Sequence, residues 1–559
     1  NFFIAPGIAS GKQNSTCKPP PTNNQRITMA NRNLKNATEG ISFLGRDEKT
    51  WGKDGIGSIA IDPNVCATTG ECPYYRDTQY DLDKDKIHLV IASFRDQLCP
   101  RTMFNIFSRA KNPHRIYVRV LQQLQPDSEL IDDADCWEQA CKAYNNNSEG
   151  KLNDGRPFDC HEFEKQVEVV TIDAGLAKGP CDARSKLSAL IEFDYRHKDD
   201  GHHRLEPVNV RDYCMQTDSH MDFSNEFDNG LIAMFHRTQN DRAVLSTYVA
   251  SMTQNNQDPK EVPNLCMITF TSTWRNWGTK FIRNAKKPKL TNLVWGAGMS
   301  FQKCHAELNV PYDPYLDNVF DGEETSRGIR FFTHGYDVYT PDKVLVTHDY
   351  EGHQSNPVIH TWGRKNAKKA EIEDQKRKEK FDNVDWSYMD QITQMKGIVR
   401  PDGVQRINIL MNIKDQRLPP NKRVPDPEVK RMINEGRFGL GTARTIDQAY
   451  EFAGFSPDDY KMHVNKCGNL KFVPFEDRSD FNEKNDWGVA INLQRRIWNE
   501  TEPLLPPPPG ASASVGGGSL GGLLRSSGSQ NRALQSGAAA GANAGHTFSH
   551  GSTYHSLGW

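Results

Sequence analysis

Ile87-His-Leu-Val-Ile-Ala-Ser-Phe94 is short, β-branched and mostly apolar. A run with so little polar alternation reads as a strand buried on both faces, as strands of a parallel sheet are. Helical spacing follows. Met103–Ala110 sets Phe104, Phe107 and Ser108 at helical intervals, and Pro113 is expected to end that helix. The alternation then repeats. Arg115–Val120 and Val167–Asp173 read as strands, Pro180–Leu190 as a helix opened by its proline, and Tyr213–Gln216 as a fourth strand. Asp228–Arg237 reads as a helix and Ala243–Val249 as a further strand. Strands and helices alternating in this way predict an α/β domain on a mostly parallel sheet flanked by helices. Such sheets bind ligands beyond the carboxyl ends of their strands, so the residues that end each strand matter first.

Around this core, residues 1–80 are rich in Asn, Gly, Thr and charge, with three prolines at 19–21, and read as an N-terminal stem with irregular structure. The α/β domain is expected over 85–360. A charged excursion follows over 361–400, where 364–380 interleaves acids and bases. That suits a solvated surface better than a site for an acidic partner. Helical composition returns over 401–500, with the turn-rich Arg437-Phe-Gly-Leu-Gly441 inside it. The tail 506–559 opens on PPPPG and continues in Gly, Ser and Ala. It is expected to be disordered, because nothing in it offsets the entropy of ordering.

The 559 residues carry 69 Lys+Arg against 71 Asp+Glu, a net charge of −2, which excludes a protein whose main role is to coat nucleic acid. No stretch is apolar for the length of a membrane span. The chain opens on Asn1 rather than Met, which is compatible with a signal peptide or anchor upstream. Eight of the 12 cysteines fall between Cys66 and Cys214 (Cys66, Cys72, Cys99, Cys136, Cys141, Cys160, Cys181, Cys214). None forms the paired CxxC pattern of structural zinc, so they are buried thiols or disulfides. Sequons at Asn14, Asn36, Asn146 and Asn499 favour the secretory lumen, such as the Golgi, over the cytoplasm. P-loop, hydrolase-elbow and zincin motifs are missing from the sequence.

Asp218-Ser-His220 follows the fourth strand. A carboxylate and an imidazole two residues apart leave an extended segment on the same side and can hold a divalent cation beside a phosphate. The alternative is a helix cap at Asp218 with a surface histidine. On the metal reading, Asp218 adds little to the core and its loss is expected to leave the fold intact. His348 follows another strand-like run, Lys343–Thr347, and His353 and His360 lie nearby as candidate further ligands. Ser93, Arg95 and Asp96 sit past the first strand, where a nucleotide base and ribose would bind. Arg184 can face a pyrophosphate or enter an ordinary ion pair. Glu323 and Glu324 can orient hydroxyls or stabilise a developing cation, or else decorate a solvated helix N-terminus.

Several of these segments occur in a telling order. Ile91-Ala-Ser-Phe-Arg-Asp96 with Cys99-Pro100 precedes Ala177-Lys-Gly-Pro-Cys-Asp-Ala-Arg184 and Gln216-Thr-Asp-Ser-His-Met221. Trp295-Gly-Ala-Gly-Met-Ser-Phe301, Val310-Pro-Tyr-Asp-Pro314, Gly322-Glu-Glu324, Phe332-Thr-His-Gly-Tyr-Asp337, His348 and Arg437-Phe-Gly-Leu-Gly-Thr442 follow. Over roughly 85–455 the chain resembles the polypeptide N-acetylglucosaminyltransferases, which include enzymes that modify hydroxyproline on a ubiquitin-ligase adaptor and enzymes that start mucin-type chains on Thr. The resemblance implies a GT-A glycosyltransferase fold, a UDP-GlcNAc donor, a polypeptide acceptor, a divalent cation (Mn2+ or Mg2+) and retention of anomeric configuration. It implies that Asp218 and His220 correspond to a D-x-D-like metal motif, with His348 as third ligand. Glu323 and Glu324 would lie near the acceptor and the reacting sugar, and Ser93, Arg95, Asp96, Arg184 and Asp218 would bind the donor. Asp321, where the family is expected to carry an apolar or aromatic residue, the 364–380 excursion and the tail depart from the pattern. Two other classes stay open: a non-catalytic sugar-nucleotide or glycan-binding module on the same fold, and a metal-dependent phosphoester hydrolase using Asp218, His220, His348 and His353 with a second metal cluster.

Overall fold

The computed structural model of the chain describes residues 84–350 apart from short breaks at 126–133, 146–149, 253–260, 271–273 and 277–278, together with 56–58, 79–81 and parts of 403–497. Ile56–Ser58 pairs antiparallel with Gln79–Asp81. The rest of the expected stem with Cys66 and Cys72, the charged excursion, His353, His360 and the tail lie outside the described residues.

The central sheet is built from β1 (Ile87–Phe94), β2 (Ile116–Leu124), β3 (Val167–Asp173), β4 (Tyr213–Asp218), β6 (Ala243–Ser246), β8 (Lys289–Leu290), β9 (Met299–Lys303) and β10 (Asp337–Thr340), in the order β8-β10-β6-β9-β4-β1-β2-β3. β4, β1, β2 and β3 are mutually parallel, and β10 runs parallel to β6. β9 is antiparallel to both β4 and β6, and β8 is antiparallel to β10. The sheet is therefore mostly parallel with one reversed strand inside it. A smaller sheet has the order β5 (Met221–Phe223), β11 (Val346–His348), β7 (Ala250–Ser251).

Both faces of the central sheet are covered, which explains why β1 reads as a continuous apolar run. Ile87, Leu89 and Ile91 pack with Met103, Phe104 and Phe107 of helix α1 (Cys99–Arg109), together with residues of α2 (Cys136–Tyr144) and α4 (Phe227–Arg237). Val90 turns to the other face and packs with Ala183, Leu187 and Ile191 of α3 (Pro180–Arg196). Each fully buried side chain of this size contributes about 1.5–3 kcal/mol, so neither face can be left bare. Helices α5 (Cys304–Asn309), α6 (Glu323–Thr333), α7 (Gly403–Leu410), α8 (Pro427–Glu435) and α9 (Ile446–Ala453) complete the described helices used below. Residues of α6, α7 and α9 share a second core around Trp274 and Leu293.

Some boundaries differ from the sequence expectation. α1 starts at Cys99, because Pro100 occupies its first turn and Leu98 N–H is taken by the Asp96 carboxylate at 2.8 Å. It ends at Arg109, before Pro113, which opens a 3-10 turn. α3 runs on to Arg196, β6 stops at Ser246, and the strand expected over 343–347 is Val346–His348. Disulfides join Cys99 to Cys136, Cys141 to Cys160 and Cys214 to Cys304. Cys181 is a buried free thiol. No described helix is long and apolar enough to cross a membrane.

Candidate active site

Asp218 is the last residue of β4, and Ala92 of β1 lies beside it in register. The chain then turns through Ser219 and His220 into β5. Thr102 of α1 clamps this turn: its hydroxyl donates to Ser219 O at 2.8 Å and accepts from Met221 N–H at 2.9 Å. β11 brings in the third ligand candidate. His348 pairs with Met221 and with Ser251, and Asp349 N–H bonds His220 O at 3.0 Å. The ligand atoms of Asp218, His220 and His348 all lie within 4.8 Å of one another, and all three side chains are buried. A surface position for His220 is thereby excluded.

Asp96 stands behind this group. Its Oδ2 accepts from His220 Nδ1 at 2.7 Å and from the Ser219 hydroxyl. A carboxylate on one ring nitrogen fixes the tautomer and turns the other nitrogen towards a ligand. His220 Nε2 faces His348 Nε2 at 2.8 Å. Asp218 Oδ2 is buried, makes no hydrogen bond, and lies 3.7 Å from His348 Nε2. Gly298 leaves room there, since a Cβ on it would stand 3.0 Å from that oxygen. One carboxylate and two imidazoles, one oriented from behind and one oxygen left unsatisfied, fit a divalent cation. Burial favours the neutral form of Asp218, but His348, Arg184 and His220 outweigh it and hold the carboxyl well below the usual range.

Arg184, on the first turns of α3, joins two acids. Nη2 donates to Asp218 Oδ1 at 2.7 Å and Nη1 to Glu323 Oε1 at 2.6 Å. Arg184 thus takes the ion-pair alternative, in a buried pair with two acids of the candidate site. Burial opposes its charge, yet Glu323, Tyr312 and Asp218 keep its pKa above the ordinary value. Asp218 is therefore half of a buried ion pair, and the expectation that its loss would leave the fold untouched is corrected: removing one partner of such a pair is strongly destabilising.

Glu323 and Glu324 do open a helix, α6, with Gly322 at its cap, but Glu323 is buried and Glu324 is partly buried with both oxygens hydrogen-bonded. Glu324 Oε2 accepts from the Tyr248 hydroxyl and from Asn276 Nδ2 at 2.6 Å, and its Oε1 accepts from Ala297 N–H at 2.9 Å. Burial pushes its carboxyl up to about 8, against the pull of the Tyr248 and Ala297 donors. Ser93 and Arg95 are buried at the carboxyl end of β1. Arg95 has a left-handed backbone (φ 48°), and its N–H bonds Gln123 O at 3.1 Å. Asp321 pairs with Arg275 at 3.2 Å on the surface.

Tyr248, Asn276, Ala297 and Thr102 escaped sequence reasoning. Tyr248 stands two residues past β6, where the strand-end rule would have pointed. Asn276 ends the short strand Trp274–Asn276, which carries no pattern that sets it apart. Among the described residues the other group of potential ligands is Asp159, Cys160 and His161, and the Cys160 sulfur is committed to the bridge with Cys141. The second metal cluster required by a phosphoester hydrolase is not found among them.

The model of the family described as Glycosyltransferase (GlcNAc) matches residues 86–459, well over half of the chain. The chain belongs to this GlcNAc glycosyltransferase family. The match takes in every site residue named above. No curated protein matches significantly. Among solved structures, this glycosyltransferase is similar to GalNAc-T7 with UDP, GalNAc and Mn2+ at 12% identity and TM-score 0.33, over 56% of each chain. It is similar to the mannosyltransferase PcManGT from Pyrobaculum calidifontis, in complex with GDP-Man and Mn2+, at 11% identity and TM-score 0.25, over 48% of this chain and 57% of that one. It is also similar to S. aureus TarS at 11% identity and TM-score 0.29, over 60% of this chain and 50% of that one. The matched part thus spans 50–57% of these chains, too distant a likeness to transfer a residue's role.

Proposed function

We propose that this glycosyltransferase has the GT-A fold and moves N-acetylglucosamine from UDP-GlcNAc, with retention, to a hydroxyl of a polypeptide, on hydroxyproline, Thr or Ser. The observation that carries the reading is the continuous chain His220/His348–Asp218–Arg184–Glu323 at the carboxyl end of β4, with Glu324 beside it. A divalent cation held by Asp218, His220 and His348, Mn2+ in preference to Mg2+ because of the imidazoles, supplies positive charge where the UDP diphosphate gathers negative charge. The protein residues do the rest. Asp96 holds the His220 ring in place. Arg184 fixes the Asp218 carboxylate from the opposite side and neutralises Glu323. Glu324, kept in one orientation by three donors, faces the transferred sugar and the incoming hydroxyl. Ser93 and Arg95 take the base and ribose, while Asp96 serves the donor only through His220. No protein nucleophile is needed if the acceptor hydroxyl attacks from the leaving-group face. The disulfides among the described residues support a secretory compartment.

The test is UDP release from UDP-GlcNAc by purified protein with Mn2+, with and without hydroxyproline- or Thr-containing peptides, followed by mass spectrometry of the peptide. A HexNAc mass gain that EDTA abolishes is expected. Mn2+-dependent nucleotide-sugar binding without any UDP release would instead favour a binding module.

A further inference from the structure

The side-chain amide of Asn276 is paired at one end and unpaired at the other. Its Nδ2 donates to Glu324 Oε2 at 2.6 Å and to Trp295 O at 3.0 Å. The Trp295 carbonyl can only accept, so the NH2 end of the amide is assigned by its surroundings. The opposite atom, Oδ1, is buried and makes no hydrogen bond. A buried acceptor left unmet is costly, and a bound group that donates to it removes that cost.

The position of this oxygen restricts what can meet it. Glu324 ties Asn276 to the loop 295–298 through Ala297 N–H, and Gly298 of the same loop abuts Asp218 Oδ2. Asn276 is thus tied through Glu324 to the loop beside the Asp218 carboxylate, and the Arg184 guanidinium there is already spent on Asp218 and Glu323. A phosphate brings only acceptors at neutral pH and would face another acceptor there. A sugar brings O–H groups, and an acetamido sugar brings an N–H as well.

We propose that Asn276 is a specificity-determining residue for the transferred sugar, using Nδ2 to orient Glu324 and Oδ1 to accept a hydrogen bond from an amide N–H or hydroxyl of that sugar. The inference deepens the donor reading above and rests on it. Tyr248 shares only the first of these tasks. Its hydroxyl donates to the same Glu324 oxygen and is not among the buried polar atoms left unpaired.

The experiment measures Mn2+-dependent UDP release from UDP-GlcNAc, UDP-glucose and UDP-GalNAc by the wild-type protein, Asn276→Ala and Tyr248→Phe, with melting temperature as the folding control. UDP-glucose lacks the acetamido group, and UDP-GalNAc inverts the 4-hydroxyl. Asn276→Ala is expected to change one of the two selectivity ratios in kcat/KM by about 3- to 10-fold, the value of one neutral hydrogen bond. The ratio that moves says which group donates. Tyr248→Phe is expected to slow all three donors alike. Unchanged ratios in a folded, active Asn276→Ala overturn the inference and mean that Oδ1 meets only water. An equal change of selectivity in Tyr248→Phe overturns it too, since the effect then runs through Glu324. Wild-type protein that neither binds nor turns over any of the three nucleotide sugars with Mn2+ overturns the donor reading itself.

Discussion

His220 Nε2 and His348 Nε2 face each other at 2.8 Å, one ring on the turn after β4 and the other at the end of β11. The two residues are far apart in sequence and meet because His348 pairs with Met221 in the small sheet. His220→Ala and His348→Ala should each weaken Mn2+ binding by at least about tenfold, as loss of a ligand should at least match loss of a ligand's support. Isothermal titration with Mn2+ and UDP checks this. Unaltered Mn2+ affinity in both variants would remove the metal site.

Asp96→Asn should lower Mn2+ affinity by about 10- to 100-fold through the orientation of His220, without removing a ligand. The check is the same titration, paired with UDP release at saturating Mn2+. Saturation should restore most of the rate in this variant and should not do so in Asp218→Asn.

Asp218→Asn should lower metal-dependent turnover by about 10²–10³-fold. Asp218→Ala should in addition destabilise the fold, because Arg184 then keeps Glu323 as its partner and loses the other carboxylate. A buried pair broken so that one charge is left alone costs about 3–5 kcal/mol, and the remaining Glu323 partner keeps the loss here below that. Thermal melts of the two variants side by side would show the difference.

Glu324 carries the pH dependence. Burial raises its carboxyl to about 8 in the fold, above the unfolded value, so the folded state holds the proton more tightly. Stability from this group is fully present below about pH 4.5 and is lost as the pH rises towards about 8. Glu324→Gln should flatten that decline, and melting temperatures from pH 5 to 9 test it. The same variant should bind UDP-GlcNAc and Mn2+ normally but transfer slowly.

Mass mapping without reduction should recover the Cys99–Cys136, Cys141–Cys160 and Cys214–Cys304 peptides. Replacing Cys99 and Cys136 together by Ala should cost about 4 kcal/mol on a chain-entropy view of a loop of 37 residues. Denaturant titration reads it directly.

Ile87–Phe94 matches its expected bounds because its continuous apolar run is buried on both faces and has no other use there. Val167–Asp173 also keeps its bounds, as a half-buried strand at the sheet edge marked by its β-branched residues. The start of α1 was hidden by Pro100, which looks like a break and acts as a first-turn residue. Asp218 and His220 were legible from strand-end position and spacing. His348 was legible as the end of a strand, but its meeting with His220 depends on pairing between segments far apart in the chain, which no local pattern encodes. The task of Asp96 was hidden for the same reason, since His220 approaches it from another strand. Tyr248 and Asn276 meet Glu324 from segments far from it in the chain, and such a meeting leaves no mark in composition or period.

The reversed strand β9 has a consequence for synthesis on the ribosome. β1 to β4 appear in order and can pair as they emerge, each beside one already made. β6 emerges next, yet β9 lies between it and β4. Until Lys303 has left the exit tunnel, the nascent chain holds an open edge along β4, and β6 has no neighbour to join. His348 comes later still. Vectorial folding therefore leaves the Asp218 end of β4 among the last places to close, with that bare edge as the interval's aggregation hazard and natural chaperone target.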